Sequence, residues 1–245
     1  MSRYDSRTTI FSNEGRLFQV EYALESISNA STTIGIVTTQ GIVLAANKVK
    51  TSKYVERERG TEKLHAIDRN IICASAGWTA DANVLINLAR RISQTYLHTY
   101  NKHINPTKLI SNLCDKIQSY TQNGGLRPFG LALMFAIVTS KNEYKVVLTD
   151  PAGNFNTWKA IAIGQENVFA QSLLKQEYTE TLTLQQGLEL AAKILKTVGS
   201  TIDIEASAEF AVLSKQDDSV NYRILRTDEA KELMINANRV DLIEP

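Results

Sequence analysis

The chain has 245 residues, 43% of them hydrophobic and 22% charged, a composition that supports one sizeable folded core and leaves no long polar tract to stay disordered. A formal net charge of +1 with scattered lysines and arginines argues against a general nucleic-acid binder, and no run approaches the length of a membrane span. Cys73 and Cys114 lie far apart within apolar patterns, and Met1-Ser2-Arg3-Tyr4 lacks the apolar stretch of a secretory signal. The expectation is a soluble intracellular protein without a disulfide framework.

Leu17, Val20, Leu24 and Ile27 recur at offsets of three and four, which predicts an amphipathic helix over 13–28 with Ser12 as its N-cap. Thr33 to Val37 and Ile42 to Ala46, around a turn at Gln40-Gly41, read as a strand hairpin, and Leu64 to Ile67 with Ile71 to Ala76 as a second. Two helices follow. Leu85, Leu88, Ala89, Ile92 and Tyr96 mark the first; Pro106 opens the second, which carries Ile110, Leu113, Cys114 and Ile117, so Cys114 reads as core. Arg90-Arg91 falls on the solvated face. After Gly124-Gly125, strands are expected over Phe129 to Thr139, Tyr144 to Thr149 and Trp158 to Ile163, with turns at Lys141-Asn142 and Asp150-Pro151-Ala152-Gly153. Helices from Glu166 and Thr183, strands over Glu209 to Leu213 and Tyr222 to Leu225, and a helix from Thr227 close the pattern. Strands in runs separated by paired helices indicate a layered α+β fold with antiparallel sheets in one domain, 1–245.

Common catalytic motifs are missing. There is no phosphate-binding loop, no GxGxxG turn and no GxSxG elbow, and His65, His98 and His103 make no metal-ligand spacing with each other or with the cysteines. No cofactor or metal is expected. The constellation that does stand out is Ser31-Thr32-Thr33-Ile34-Gly35, a hydroxyl run opening the first strand. It resembles the start of mature proteasome β-type subunits, in which an N-terminal threonine is nucleophile and its own amine the base. Aligned on Gly35, Ser31 falls at the threonine, Asn47 at the catalytic aspartate and Lys63 at the catalytic lysine. A hydroxyl needs an adjacent base to become a nucleophile. Ser31 is internal and has no free amine, and Asn47 cannot supply a carboxylate's charge beside Lys63. The reading is a retained fold with degenerate active-site positions Ser31, Asn47 and Lys63; the alternative is an N-terminal threonine or serine hydrolase released by autoprocessing before Ser31 or Thr32.

The segment Tyr4-Asp5-Ser6-Arg7-Thr8-Thr9-Ile10-Phe11-Ser12-Asn13-Glu14-Gly15-Arg16-Leu17-Phe18-Gln19-Val20-Glu21-Tyr22-Ala23 resembles the signature of proteasome core-particle α-type subunits, and among eukaryotic paralogues is most similar to the alpha type-4 subunit. The likeness continues through Arg127-Pro128-Phe129-Gly130, Asp150-Pro151-Ala152-Gly153 and Trp158-Lys159-Ala160. It implies a four-layer αββα sandwich of the N-terminal nucleophile hydrolase-like class over 31–245, extended by the helix at 13–28 and a gate tail at 1–12. It further implies a non-catalytic subunit of the outer heptameric α ring of the 20S particle, in cytoplasm and nucleus. Its partners would be other α subunits, β-ring subunits and regulatory ATPase or other activator caps, with no nucleic acid and no membrane. A free homo-oligomeric ring is the non-enzymatic alternative.

Site residues follow from the same resemblance. Tyr4, Asp5, Arg7, Asn13 and Tyr22 fall at the gate-ordering cluster, and Lys63, Leu17 and Ala30 at the pocket between adjacent subunits where activator C-terminal carboxylates dock. The ordinary reading of Lys63 is a surface lysine paired with Glu62 or Glu58. Asn13 departs from the family's usual proline and leaves the turn freer. Ala30 replaces the glycine of some relatives, and three residues precede Tyr4, too few to span much of a pore.

Overall fold

A computed structural model describes residues 9–48, 62–139, 141–199, 207–216 and 219–237. In chain order the elements are α1 (Phe18–Ser28), β1 (Thr33–Val37), β2 (Gly41–Asn47), β3 (Leu64–Asp68), β4 (Ile71–Gly77), α2 (Thr79–Tyr100) and α3 (Pro106–Gln122). Then come β5 (Leu131–Val138), β6 (Tyr144–Thr149), β7 (Phe155–Trp158), β8 (Ala160–Ile163), α4 (Asn167–Glu177), α5 (Leu184–Val198), β9 (Ala208–Gln216), β10 (Ser219–Ile224) and α6 (Thr227–Asn236). β2 and β5 are buried along their whole lengths, which a strand achieves only when both its faces are covered.

Those two faces define the layers. One sheet runs β10-β9-β2-β1-β8 and the other β3-β4-β5-β6-β7, with antiparallel pairing throughout. Side chains alternate along each strand. Ile42, Leu44 and Ala46 of β2 meet Ala132, Met134 and Ala136 of β5 between the sheets, whereas Val43 and Ala45 face Leu188, Ala191 and Leu195 of α5. On the far side, Leu131, Leu133 and Phe135 of β5 pack under Leu85 and Ala89 of α2 and Leu109 and Leu113 of α3. The result is the expected helix–sheet–sheet–helix sandwich. Cys114 belongs to the α3 core, and Cys73 and Cys114 are free and buried; burial pushes both thiols up, Cys114 to about 12, so neither is a ready nucleophile.

Helix ends follow local chemistry where the sequence supplies it. Thr183 forms a capping box with Gln186 at the start of α5, and Pro106 opens α3 behind Asn105, whose side chain accepts from Thr107 N at 3.0 Å. The N-terminal helix is shorter than the expected 13–28. Ser12 is not its N-cap: Ser12 O accepts from Gly15 N at 2.9 Å and Ser12 Oγ from Arg16 N at 3.1 Å, closing a separate turn that ends on Gly15 at φ 76. α1 therefore starts after Leu17, where the apolar spacing itself begins, and its buried stripe is Val20, Ala23 and Ile27, with Leu24 46% exposed.

The expected strand at Trp158 to Ile163 is in fact the crossing between sheets. β7 is the exposed edge of one sheet and β8 the edge of the other, and only Lys159 separates them. Lys159 O accepts from Val37 N at 2.8 Å, so the switch is pinned to β1.

Gly130 ties the N-terminal helix to this frame. Its N–H donates to Asp81 Oδ2 at 3.0 Å, and its carbonyl accepts from Trp78 N at 3.0 Å and from Ser26 Oγ of α1 at 3.2 Å. A Cβ on Gly130 would lie 2.7 Å from Trp78 Cδ1, so any side chain there must displace the Trp78 ring.

Candidate functional site

The three positions singled out by resemblance, Ser31, Asn47 and Lys63, come together where α1 feeds into β1. α1 ends with Ala30 N donating to Ile27 O at 3.0 Å, and Ala30 O accepts from Gln165 N at 2.6 Å. Thr32 Oγ1 donates to Gln165 O at 2.7 Å. Gly164 makes this clamp possible: its φ is +97, and a Cβ there would stand 2.7 Å from Ala30 O and 2.8 Å from Ser31 O. Ser31 is thus held on both flanks by backbone from after β8.

Ser31 Oγ donates to Asn47 O at 2.6 Å. Lys63, just before β3 in the opposite sheet, reaches across: its Nζ donates to Ser31 O at 3.0 Å and also to Ser31 Oγ. Asn47 is buried at the end of β2 with its Oδ1 accepting from Ser207 Oγ at 2.9 Å, so its amide is committed away from the lysine. Glu62 and Lys63 form no ion pair among the described residues, and Glu58 lies outside them. The reading of Lys63 as a surface lysine paired with Glu62 is corrected accordingly.

A carboxylate missed at the level of sequence stands close by. Glu209 of β9 accepts from the Lys63 backbone N–H at 2.9 Å through Oε2, while its Oε1 pairs with the Lys48 ammonium. Glu209 therefore fixes where the chain enters β3 at Lys63, but its charge is engaged by Lys48. Burial pushes the Lys63 amine down to about 8, and the Glu209 charge offsets part of that. Thr33 Oγ1, fully buried two residues beyond Ser31, has no partner.

The remaining predicted residues divide. Leu17 precedes α1 in extended conformation, half-buried, with its carbonyl accepting from Val20 N and Glu21 N at 3.1 and 3.2 Å; Ala30 is bonded to Ser31 and so borders the lysine site. Asn13 is the exposed second residue of the Ser12 to Gly15 turn, and Tyr22 is exposed on α1 with its ring 6.5 Å from that of Phe18. Tyr4, Asp5 and Arg7 lie outside the described residues. Among the described residues no helix is long and apolar enough to cross a membrane, and no cluster of histidine, cysteine and carboxylate side chains could hold a metal. His103 does pair with buried Asp68, Nδ1 to Oδ1 at 3.1 Å, and Ser93 Oγ donates to the other oxygen, which fastens the α2–α3 loop to β3.

Two antiparallel five-stranded sheets between helix layers define a sandwich of the N-terminal nucleophile hydrolase-like class. The chain belongs to the α-type subunits of the proteasome core particle: the family described as "Proteasome subunit" matches residues 27–212, and that family's N-terminal signature for its A-type members matches residues 4–25. It is 46% identical over 238 residues to "Probable proteasome subunit alpha type-3" of Schizosaccharomyces pombe, covering 96% of each chain. It is 46% identical over 236 residues to "Proteasome subunit alpha type-3" of Saccharomyces cerevisiae, covering 95% of this chain and 92% of that one. "Proteasome subunit alpha type-4-A" of Arabidopsis thaliana is 43% identical over 235 residues, covering 95% and 94%. The type-4 likeness expected from the N-terminal signature is therefore met beside relatives named type-3. Membership implies assembly with other proteasome subunits.

Proposed function

We propose that this subunit is non-catalytic and serves in an outer seven-membered α ring, where it helps order the entry gate and offers a docking pocket for activator C-terminal carboxylates, in cytoplasm and nucleus. The observation that carries the reading is the state of Ser31. Its nitrogen is in a peptide bond to Ala30, whose own N–H and carbonyl are bonded to Ile27 and Gln165, and its hydroxyl proton is directed to Asn47 O at 2.6 Å. Below about pH 8 the lysine beside it is mainly an ammonium that donates to Ser31, and the hydroxyl hydrogen points away from it to Asn47 O, so in this arrangement Lys63 does not take the hydroxyl proton.

Gate ordering draws on Tyr4, Asp5, Arg7, Asn13 and Tyr22. A phenol and a carboxylate can fix neighbouring chains by hydrogen bonds. The exposed turn bearing Asn13 and the exposed Tyr22 on α1 agree with a role at an intersubunit surface. The docking pocket draws on Lys63, with Ala30 and Leu17 on its flank, because an ammonium without a carboxylate partner suits an incoming carboxylate.

The test is intact mass of the chain taken from purified particles, with and without an acylating probe for N-terminal nucleophiles. The chain is expected to keep residues 1–30 and to take no label while β-type chains do. Loss of the segment before Ser31, or a label on Ser31 or Thr32, would overturn the non-catalytic reading. For the pocket, Lys63→Ala is expected to weaken binding of an activator tail peptide while the ring still assembles; unchanged affinity would count against it.

A further inference from the structure

Lys63 is a cation held almost entirely by neutral oxygen. Its ammonium donates to Ser31 O and Ser31 Oγ, and among the described residues no carboxylate forms an ion pair with it. The nearest acidic group, Glu209, spends one oxygen on the Lys48 ammonium and the other on the Lys63 backbone N–H. Ser31 is well prepared as an acceptor. Its hydroxyl hydrogen is committed to Asn47 O at 2.6 Å, which fixes the rotamer and leaves oxygen lone pairs for the lysine. The clamp of Ala30 and Thr32 onto Gln165 fixes the backbone that carries the second acceptor.

We propose that Ser31 is a positioning residue for the docking pocket: it holds the Lys63 ammonium inward in the unoccupied subunit, and a docking carboxylate must draw that ammonium off Ser31 Oγ, so Ser31 sets the affinity. This rests on the reading of Lys63 as the pocket's cation and extends it to a residue with a different role. A hydrogen bond from a charged donor is among the stronger ones, and a ligand that breaks it binds more weakly by that amount. Removing the hydroxyl removes that competitor and leaves only the Ser31 carbonyl. Glu209 and Lys48, the charged neighbours from β9 and the end of β2, remain in place, so the pocket's fixed charge does not change in the Ser31 variants.

The experiment uses assembled core particles carrying Ser31→Ala, Ser31→Thr or Lys63→Ala in this chain, with assembly checked by native mass spectrometry. Binding of the C-terminal octapeptide of an activator ATPase, and of its C-terminally amidated twin, is measured at pH 6.5, below the value of about 8 to which burial brings the parent's Lys63 amine. Ser31→Ala is expected to bind the free-carboxylate peptide about tenfold more tightly, equivalent to about 1.4 kcal/mol. The amidated peptide should not respond, and Ser31→Thr, which keeps the hydroxyl, should stay within about twofold of the parent. If Ser31→Ala does not assemble, Ser31→Gly removes the same oxygen and replaces it in the comparison. Should Lys63→Ala weaken binding while the hydroxyl-less variant binds no more tightly than the parent, the positioning role falls and the pocket stands. Should Lys63→Ala bind like the parent, the pocket reading falls and takes this inference with it.

Discussion

Replacing Asp81 by alanine should be among the most damaging single changes outside the apolar core. Asp81 lies 7% exposed in the first turn of α2. It accepts from Arg127 Nη1 and Nη2 at 2.6 and 2.7 Å and from the Gly130 N–H at 3.0 Å. Alanine leaves a buried N–H without an acceptor, which costs about 1–3 kcal/mol. The ion pair adds less, up to about 1 kcal/mol, because the Arg127 side chain is 67% exposed. The sum, about 1–4 kcal/mol, corresponds to a melting temperature lower by roughly 3–12 °C at about 3 °C per kcal/mol in a chain of this size. Asp81→Asn retains an oxygen for Gly130 and should lose only about 1 kcal/mol. The Arg127 hydrogen bonds, aided by Gly130, hold the Asp81 carboxyl below its ordinary value of 3.8. A depressed folded value means that the contribution is full above the ordinary value and disappears as pH falls through the folded one. The deficit of Asp81→Ala should therefore narrow on acidification below about pH 4. Thermal unfolding of parent and both variants, at neutral and acid pH, makes the comparison. An alanine variant that melts within about 2 °C of the parent, or an asparagine variant as weak as alanine, refutes the reasoning.

Other outcomes are as definite. Gly164→Ala places an L side chain at φ +97 with Cβ 2.7 Å from Ala30 O; it should destabilise by about 3 kcal/mol or more, and an unchanged melting temperature would show that the clamp on Ser31 can yield. Thr183→Ala removes the capping box of α5 and should lower stability by about 1 kcal/mol, read as a small shift in the denaturation midpoint; no shift would mean the box is idle. Because the Lys63 amine is pushed down to about 8 from 10.5, the unfolded chain binds more protons between those values, and stability contributed at this site rises with pH across that window. The stability advantage of Lys63→Met over the parent should accordingly shrink from pH 8 to pH 10.5, and a constant difference would contradict the buried setting. Finally, Asn13→Pro at the second position of the Ser12 to Gly15 turn should stabilise that turn by about 0.4–1 kcal/mol; in the proposed gate this should raise activator-stimulated peptide hydrolysis, and equal stimulation would detach Asn13 from gating.

The sequence was most informative where the deciding interactions are local. The helix openings at Thr183 and Pro106 and the apolar runs that form β2 and β5 could be read directly because each rule spans a few residues. The helix start at 13 failed for the same reason: Ser12 has the right chemistry for a cap, yet Gly15 and Arg16 fold back on it before the apolar spacing at Leu17 begins. Across Trp158 to Ile163 the pattern is continuous and gives no sign that the chain changes sheets at Lys159, since the exposed β7 and buried β8 differ only in what lies over them. Ser31, Asn47 and Lys63 were aligned through resemblance, and they do meet. Glu209 and Ser207 escaped because no spacing links them to residues about 150 positions earlier; only the pairing of β9 with β2 brings them in.

Gly130 also has a mechanical meaning. The last turn of α1 is attached to the sandwich both by its covalent run into β1 and by Ser26 on the Gly130 carbonyl, while the same residue's amide anchors the start of α2. A force that tilts α1 is thus delivered to β5 and α2 together, as through a bracket with two arms. Whatever presses on this helix is passed to Asp81 and Arg127 through the single residue Gly130, alongside the direct packing of Val20, Ala23 and Ile27.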